Sequence, residues 1–455
     1  MNKKKFLTLG LTLAITASSA FCSASHAAIP PAPPAGHSQN LPGNPPPDAP
    51  HGQFQESNDA SSFKGTLLVD GEKKSASNQT IITSETDTSN ILVRKQGNLN
   101  IINSTLTKAG DSNDVNDSNF TGRNAIVLAN NSNINISSST LASAAEGANA
   151  VFATGKNSTI TAQHLKITTS GNSSRGLDAT YGGKIIANDV DITTQGQHCA
   201  AVATDRGEGN IDVSSSKLTT SGDGSPCIYS TGSISVSDST GLASGSEIAV
   251  VEGKNSITLN NVELTGKAKH GVMLYQSFSG DADTGTASFT AKNSKLSNES
   301  NGSMFYVTNT TADINLKQNT LNNNSSVLLE AASDRWGNES SNGGDVSLTA
   351  VEQELNGDIV ANDISIITLT FGDGTNYTGA INKDHTAADI SLKLTAKATV
   401  SLTADAYLTL FDDEDTSFSN IKSNGYNIYY QKSSSPQLAG KTYSLPGGGV
   451  LQPIK

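Results

Sequence analysis

Two aspartates are the first residues to suggest chemistry. Asp178 and Asp205 stand one repeat apart in similar short runs, Leu177-Asp178-Ala179-Thr180 and Ala203-Thr204-Asp205, with Arg175, Arg206 and Glu208 beside them. Glycoside hydrolysis needs two carboxyl groups about 5 to 10 Å apart, and neighbouring strands lie about 4.8 Å apart, so this pair is the catalytic candidate. The alternative is solvated turn residues that form ion pairs between repeats. Hard oxygen ligands for calcium are offered by Asp281 and Asp283, and by Asp111, Asp114 and Asp117. Neither run completes a binding loop: at the twelfth position of a loop beginning at Asp281, where an EF-hand carries Glu, stands Lys292. The seven histidines show no zinc spacing, and His198 next to Cys199 lacks further ligands. Calcium is therefore the one cofactor for which the sequence offers ligands.

What positions these groups is a repeat. Pairs of apolar residues two apart open each unit: Leu99 and Ile101, Ile134 and Ile136, Ile160 and Ala162, Ile185 and Ala187, Ile211 and Val213, and on to Val346 and Leu348. Successive openings lie about 23 to 35 residues apart, and alternation at period two means strand. A second element carries Leu106, Leu141, Leu165, Ile192, Leu218, Leu242, Leu264, Leu296 and Leu321; a third is a short apolar run such as Ala150 to Ala153 or Gly176 to Ala179. Three strands per unit predict an all-β chain, a right-handed parallel β-helix of about ten three-strand coils. Asn103, Asn188, Asn261 and Asn293 are placed to stack as an amide ladder. The insertions 110–122, 279–285 and 333–344 would leave the coil without breaking it, which makes them natural seats of function.

The rest of the chain frames this helix. With 16% charged residues, 5% aromatic ones and 41 glycines, there is little material for a thick globular core. Lys3 to Lys5, an apolar run and Ser25-His26-Ala27 read as a signal peptide over 1–27, followed by a proline-rich linker over 28–60. The expected order continues with an N-terminal cap over 61–98, the helix over 99–382, and a C-terminal β cap over 383–455. Such a chain is expected to be secreted or displayed on the cell surface, without membrane insertion. Loss of the leader leaves 27 basic residues against 42 acidic ones, a formal charge of about −15, which disfavours nucleic acid and anionic membrane as partners. In an oxidising compartment Cys199 and Cys227 are candidates for a disulfide, although aligning Thr204 with Thr231 puts Cys199 opposite Pro226, one residue out of register.

The segment Ser174 to Val213, with its Gly-Leu-Asp-Ala-Thr-Tyr-Gly-Gly turn and Ile-Thr-Thr-Gln-Gly corner, resembles the passenger repeats of pertactin-like autotransporter adhesins. The resemblance covers roughly Leu99 to Asp358 and implies a surface or secreted protein, frequently an adhesin. The chain departs from that family in having no C-terminal segment suited to a membrane barrel. The resemblance carries no activity, since the matched positions are turns and core files. Polygalacturonase-like and pectate-lyase-like signatures are missing from the coils; Asp412-Asp413 lies only in the expected cap. One outward column remains as a binding surface. If Leu177, Ala201, Ile228, Val250, Val272 and Phe305 point inward, then Val202, Tyr229, Val251, Met273 and Tyr306 point outward, with Tyr181 and Tyr275 nearby. An apolar and aromatic stripe of this kind suits a polysaccharide or a host surface protein; packing beneath a loop is the other use for it. The functional expectation is thus an adhesin-like binder, against a carbohydrate-active enzyme or a structural spacer.

Overall fold

A computed structural model describes residues 60–454. The expected signal peptide and nearly all of the proline-rich linker lie outside the described residues. From Lys64 onward the chain winds as a right-handed parallel β-helix of about 16 turns, not ten. The additional turns come from both ends. Lys64–Asp70, Lys73–Ser77 and Thr80–Thr83 pair in parallel with the strands one coil on. Beyond residue 382, Asp389–Leu394 and Leu410–Asp413 continue the same ladder. The last strand, Val450–Pro453, is flanked by an antiparallel partner, Tyr443–Ser444.

Each full coil lays down three strands. Sheet I runs through twelve, from Lys64–Asp70 to Asp358–Ala361, and holds the third element of each repeat. Sheet II holds the opening pairs. Leu99, Ile134, Ile160, Ile185, Ile211, Ile234, Ile257 and Phe289 occupy one register, each at most 1% exposed. Sheet III holds the second element. In three coils sheets II and III form one bent strand: Asn133–Ser143, Thr159–Thr169 and Lys184–Thr194. The bend is a single left-handed residue, Ser138, His164 or Asp189, with φ of 49° to 52°.

Two internal ladders of polar side chains fix the corners. Just past each left-handed residue, a backbone N–H turns away from its strand partner and needs another acceptor. A side chain from the next coil provides it: Ser139 for the Ser104 N–H (3.0 Å), Ser216 for Val190 (3.1 Å), Ser239 for Ser216 (3.0 Å) and Asn319 for Ser294 (3.0 Å). At the end of sheet III the second threonine of the Thr-Thr pair points inward and donates across the turn. Thr169 reaches Ser174 O, Thr194 reaches Cys199 O and Thr220 reaches Ser225 O, each at 2.5 Å. Lys108 occupies the same file and donates to Glu85 O and Gly110 O; its burial pushes the ammonium down to about 8.

The asparagines expected as a ladder stand on the exposed side of the first corner. Asn261 donates to Asp238 at 2.7 Å, but Asn188 lies one residue before its bend and reaches Ser214 instead. Two second-element expectations are also out of step. Ile167, not Leu165, shares the file with Leu141 and Ile192. Gly241, not Leu242, takes the core position between Leu218 and Leu264. A Cβ on Gly241 would sit 2.7 Å from Leu264 Cδ2 and 3.1 Å from Cys227 Sγ, so neighbouring side chains already fill that place.

Candidate functional site

The outward column of sheet I is continuous: Leu92, Leu128, Phe152, Asp178, Ala203, Tyr229, Val250, Met273, Tyr306, Glu330 and Val360 face the same way on successive coils. Tyr229, Met273 and Tyr306 are outward as expected. Val202 and Val251 are inward and fully buried, while Ala203 and Val250 take the outward places. Apolar residues on both parities, Ala201-Val202 and Val250-Val251, left the alternation without a phase there. Where the column becomes Ile359 and Val360, sheet I passes through an Ile359 to Ile381 bridge into a final set, Ala406–Leu408, Ile428–Tyr430 and Val450–Pro453.

Insertions roof much of this column. Residues 110–122 fold back as a short helix, Val115–Thr121 (α1), capped by Asp114, which accepts the Asp117 N–H at 3.0 Å. Gly122 ends α1 at φ 72°, and a Cβ there would meet the Phe152 ring at 2.5 Å. Phe63 and Ala60 complete an apolar cluster with Leu92, Leu128 and Phe152 on the outer face. Arg206 joins two insertions: its guanidinium lies 3.8 Å from the centre of the Phe120 ring and pairs with Asp281 at 2.7 Å.

The roof changes the meaning of the aspartate pair. Asp178 is fully buried and Asp205 is 3% exposed, so neither is a solvated turn residue. Arg175 clamps both, Nη1 to Asp178 at 3.0 Å and Nη2 to Asp205 at 2.9 Å. Ala203, beside Asp178 and two residues before Asp205, leaves room for the guanidinium between them. Burial outweighs the guanidinium and holds both carboxyls well above the usual carboxylate range. Two acids share one guanidinium cation beneath a covered surface. An acid and base pair needs a substrate bond within reach of both groups, and the covering leaves no room for a sugar there.

Further along, Glu252 is 1% exposed and is held by hydroxyls. Tyr229 and Ser277 donate to it in short hydrogen bonds, and Tyr275 donates at 2.8 Å. The Tyr229 and Tyr275 hydroxyls are therefore committed to the protein, and burial raises the pKa of both phenols. Tyr275 also packs against Trp336 of the insertion 333–344, with ring centres 5.6 Å apart. Tyr306 stacks on His270 at 4.1 Å and 6°, and burial pushes that imidazole down to about 4. Tyr181 stands off the column at a left-handed corner, φ 50°. The sequence reading missed Glu252, Ser277, His270 and Trp336: each stands among other polar residues at a strand end or in an insertion, where no period marks it.

Past Tyr306 the roof ends. A depression of about 540 Å³ opens, lined by Glu330, Val360, Asp363, His385 and Thr386 over a floor that includes Ala332 and Ala361. Beside it His385, Tyr407 and Tyr429 stack in sequence, 4.6 Å and 4.8 Å between ring centres at 11° and 9°. Tyr407 and Tyr429 are directly opposite on successive coils.

The remaining candidates have structural partners. Asp281 pairs with Arg206, and Asp283 with Lys254 at 3.0 Å, so both tie the loop 276–285 to the coils. Asp114 caps α1, and Asp117 pairs with Arg123 at 3.0 Å. Among the described residues no three His, Cys, Asp or Glu side chains converge as a metal site. Cys199 and Cys227 are free, buried thiols rather than a disulfide. Val202 aligns with Ile228, so Cys199 lies opposite Ser225, two residues from Cys227 instead of one. Among the described residues no helix is long and apolar enough to cross a membrane. No known family model matches the chain, and no characterised protein matches it.

Proposed function

We propose that this chain is a secreted or cell-surface, adhesin-like β-helix, similar in kind to pertactin-like passengers, which binds an extended polymer without cleaving it. The observation that carries this reading is the line formed on one face by the open depression and the His385–Tyr407–Tyr429 stack. Coils spaced about 4.8 Å apart set these groups along an axis, as a ruler sets marks, and a linear ligand can engage several at once. The parallel ladder resists bending, so such a face is organised before binding. Asp178 and Asp205 argue against hydrolysis because they are occluded and share one guanidinium.

A binding array of glycans and extracellular-matrix proteins, with product analysis of every glycan retained, tests the reading. Retention without cleavage is expected, and Tyr407→Ser with Tyr429→Ser should weaken it while the melting temperature holds. Cleavage products, or retention indifferent to both tyrosines, would remove this face from consideration.

A further inference from the structure

We infer that the depression beyond Tyr306 receives a lysine or arginine side chain of an extended polypeptide, which makes the partner a protein with basic residues rather than an acidic glycan. The inference rests on the binding role proposed for this face and names its partner class. It begins with charge balance. Elsewhere on the outer face of sheet I, and at its borders, several carboxylates are matched by a cation, Asp178 and Asp205 by Arg175, Asp281 by Arg206, Glu208 and Asp283 by Lys254, and Asp358 by Lys383, while the buried Glu252 and Glu247 are held by hydroxyls. Glu330 and Asp363, the two acids lining the depression, take part in no ion pair among the described residues. Burial raises the Glu330 carboxyl and a hydrogen bond from Ser303 lowers it, but the charged neighbour acting on it is another acid, Asp334. Half-buried and next to a like charge, Glu330 sits in a negative field that an arriving cation would relieve.

The walls fit the rest of such a side chain. Val360 and Ala332 offer apolar surface to the methylene stem, while the carboxylates stand ready for the charged head. The same features disfavour the other polymers. An acidic glycan would meet Glu330, Asp334 and Asp363 with like charge. A neutral sugar packs on the open face of an aromatic ring, but here rings lie face to face: Tyr306 on His270, and Tyr407 between His385 and Tyr429. Stacking thus takes up both faces of Tyr407 and one face each of Tyr306 and Tyr429, which leaves fewer open faces for a sugar.

The test uses the full chain and three immobilised probes at physiological salt: a decapeptide alternating Thr with Lys, the same peptide with Glu for Lys, and a panel of neutral and acidic oligosaccharides. The Lys peptide should bind at least about tenfold more tightly than the Glu peptide. The isosteric pair Glu330→Gln with Asp363→Asn should lose about tenfold in affinity for it, with unchanged melting. Asp345→Asn with Glu354→Gln makes the same charge change on other faces and should lose less than about twofold. An equal loss in both doubles, or none in either, overturns the inference. Oligosaccharide retention that depends on Tyr407 and Tyr429, without peptide binding, overturns it and leaves the polymer-binding role intact. No retention of any probe overturns both.

Discussion

Replacing Asp178 with Asn should make the protein more stable at pH 8 and flatten its response to pH. In the native chain two fully or nearly buried carboxyls divide one guanidinium, Arg175, at 3.0 and 2.9 Å. Desolvation raises both above their unfolded values, Asp178 further than Asp205. A raised carboxyl takes up its proton on folding; its stabilising effect is complete below the unfolded value near 3.9 and is lost as pH rises through the folded one. Each unit of elevation corresponds to about 1.4 kcal/mol, so Asp205, raised to about 6, should alone lose roughly 3 kcal/mol between pH 4 and 8, and Asp178, raised to about 8, adds to that loss. Asn keeps the shape, lets its Oδ1 accept from Arg175, and leaves a one-to-one pair with Asp205. The variant should then gain about 1 kcal/mol at pH 8 and show a shallower pH dependence. Urea unfolding of both proteins at several pH values, followed by hydrogen exchange at the Leu177–Thr180 amides because a solenoid unravels in segments, measures this. A loss of about 3 kcal/mol or more at pH 8 would mean that the ion pair outweighs desolvation, and the reasoning would be wrong.

Arg206→Ala should release both insertions it joins: exchange at α1 and at residues 277–285 rises by about tenfold or more, while the coil strands keep their protection. Exchange rising in only one insertion would refute its role as a shared tie. Thr194→Val should cost about 1 to 3 kcal/mol in urea, because it leaves the buried Cys199 carbonyl without its donor, whereas the neighbouring outward Thr193→Val should stay within about 0.5 kcal/mol. Equal costs would deny the inward ladder. Burial pushes the Cys199 and Cys227 thiols up to about 11 and about 12; both should resist a thiol reagent in the folded protein and react fully after unreduced denaturation. One or no reactive thiol at that point would establish a bond between them.

The coils were legible wherever one face of a strand was apolar and the other polar. Ile-x-Ile openings and the Thr-Thr pair met that condition, and their residues fall at the core register. The phase was lost where both parities were apolar, as at Val250-Val251, and where a glycine filled a core place, as at Gly241. The first coil gave no signal because Lys74 stands at the register of Leu99; at the end of the stack a lysine can keep its head in water. Beyond residue 382 the openings Ile390-Leu392-Leu394 persist, but the third-element run that marked each coil is replaced by the isolated bridge at Ile381. The roof was legible only as the alternative of packing beneath a loop, without the residues that hold it. That the insertion 110–122 folds back depends on Phe120, Phe63 and Arg206, single residues remote in sequence from the faces they cover.

Where the roof stops decides what each part of the outward column can do. Beneath it a charge must be satisfied by the protein itself, since unpaired buried charge is strongly unfavourable. The covered acids obey this: Asp178 and Asp205 have Arg175, and Glu252 has four hydroxyls. Those arrangements use up the donors that a substrate would need, which is why these covered acids are ill suited to catalysis. Past Tyr306, water can take the place of a partner, so Glu330 and Asp363 need no internal cation. A partner entering there exchanges water for its own charge and disturbs no existing pair. Ligand recognition is therefore easiest at the boundary of the roof, where the column is still rigid but its electrostatics are incomplete.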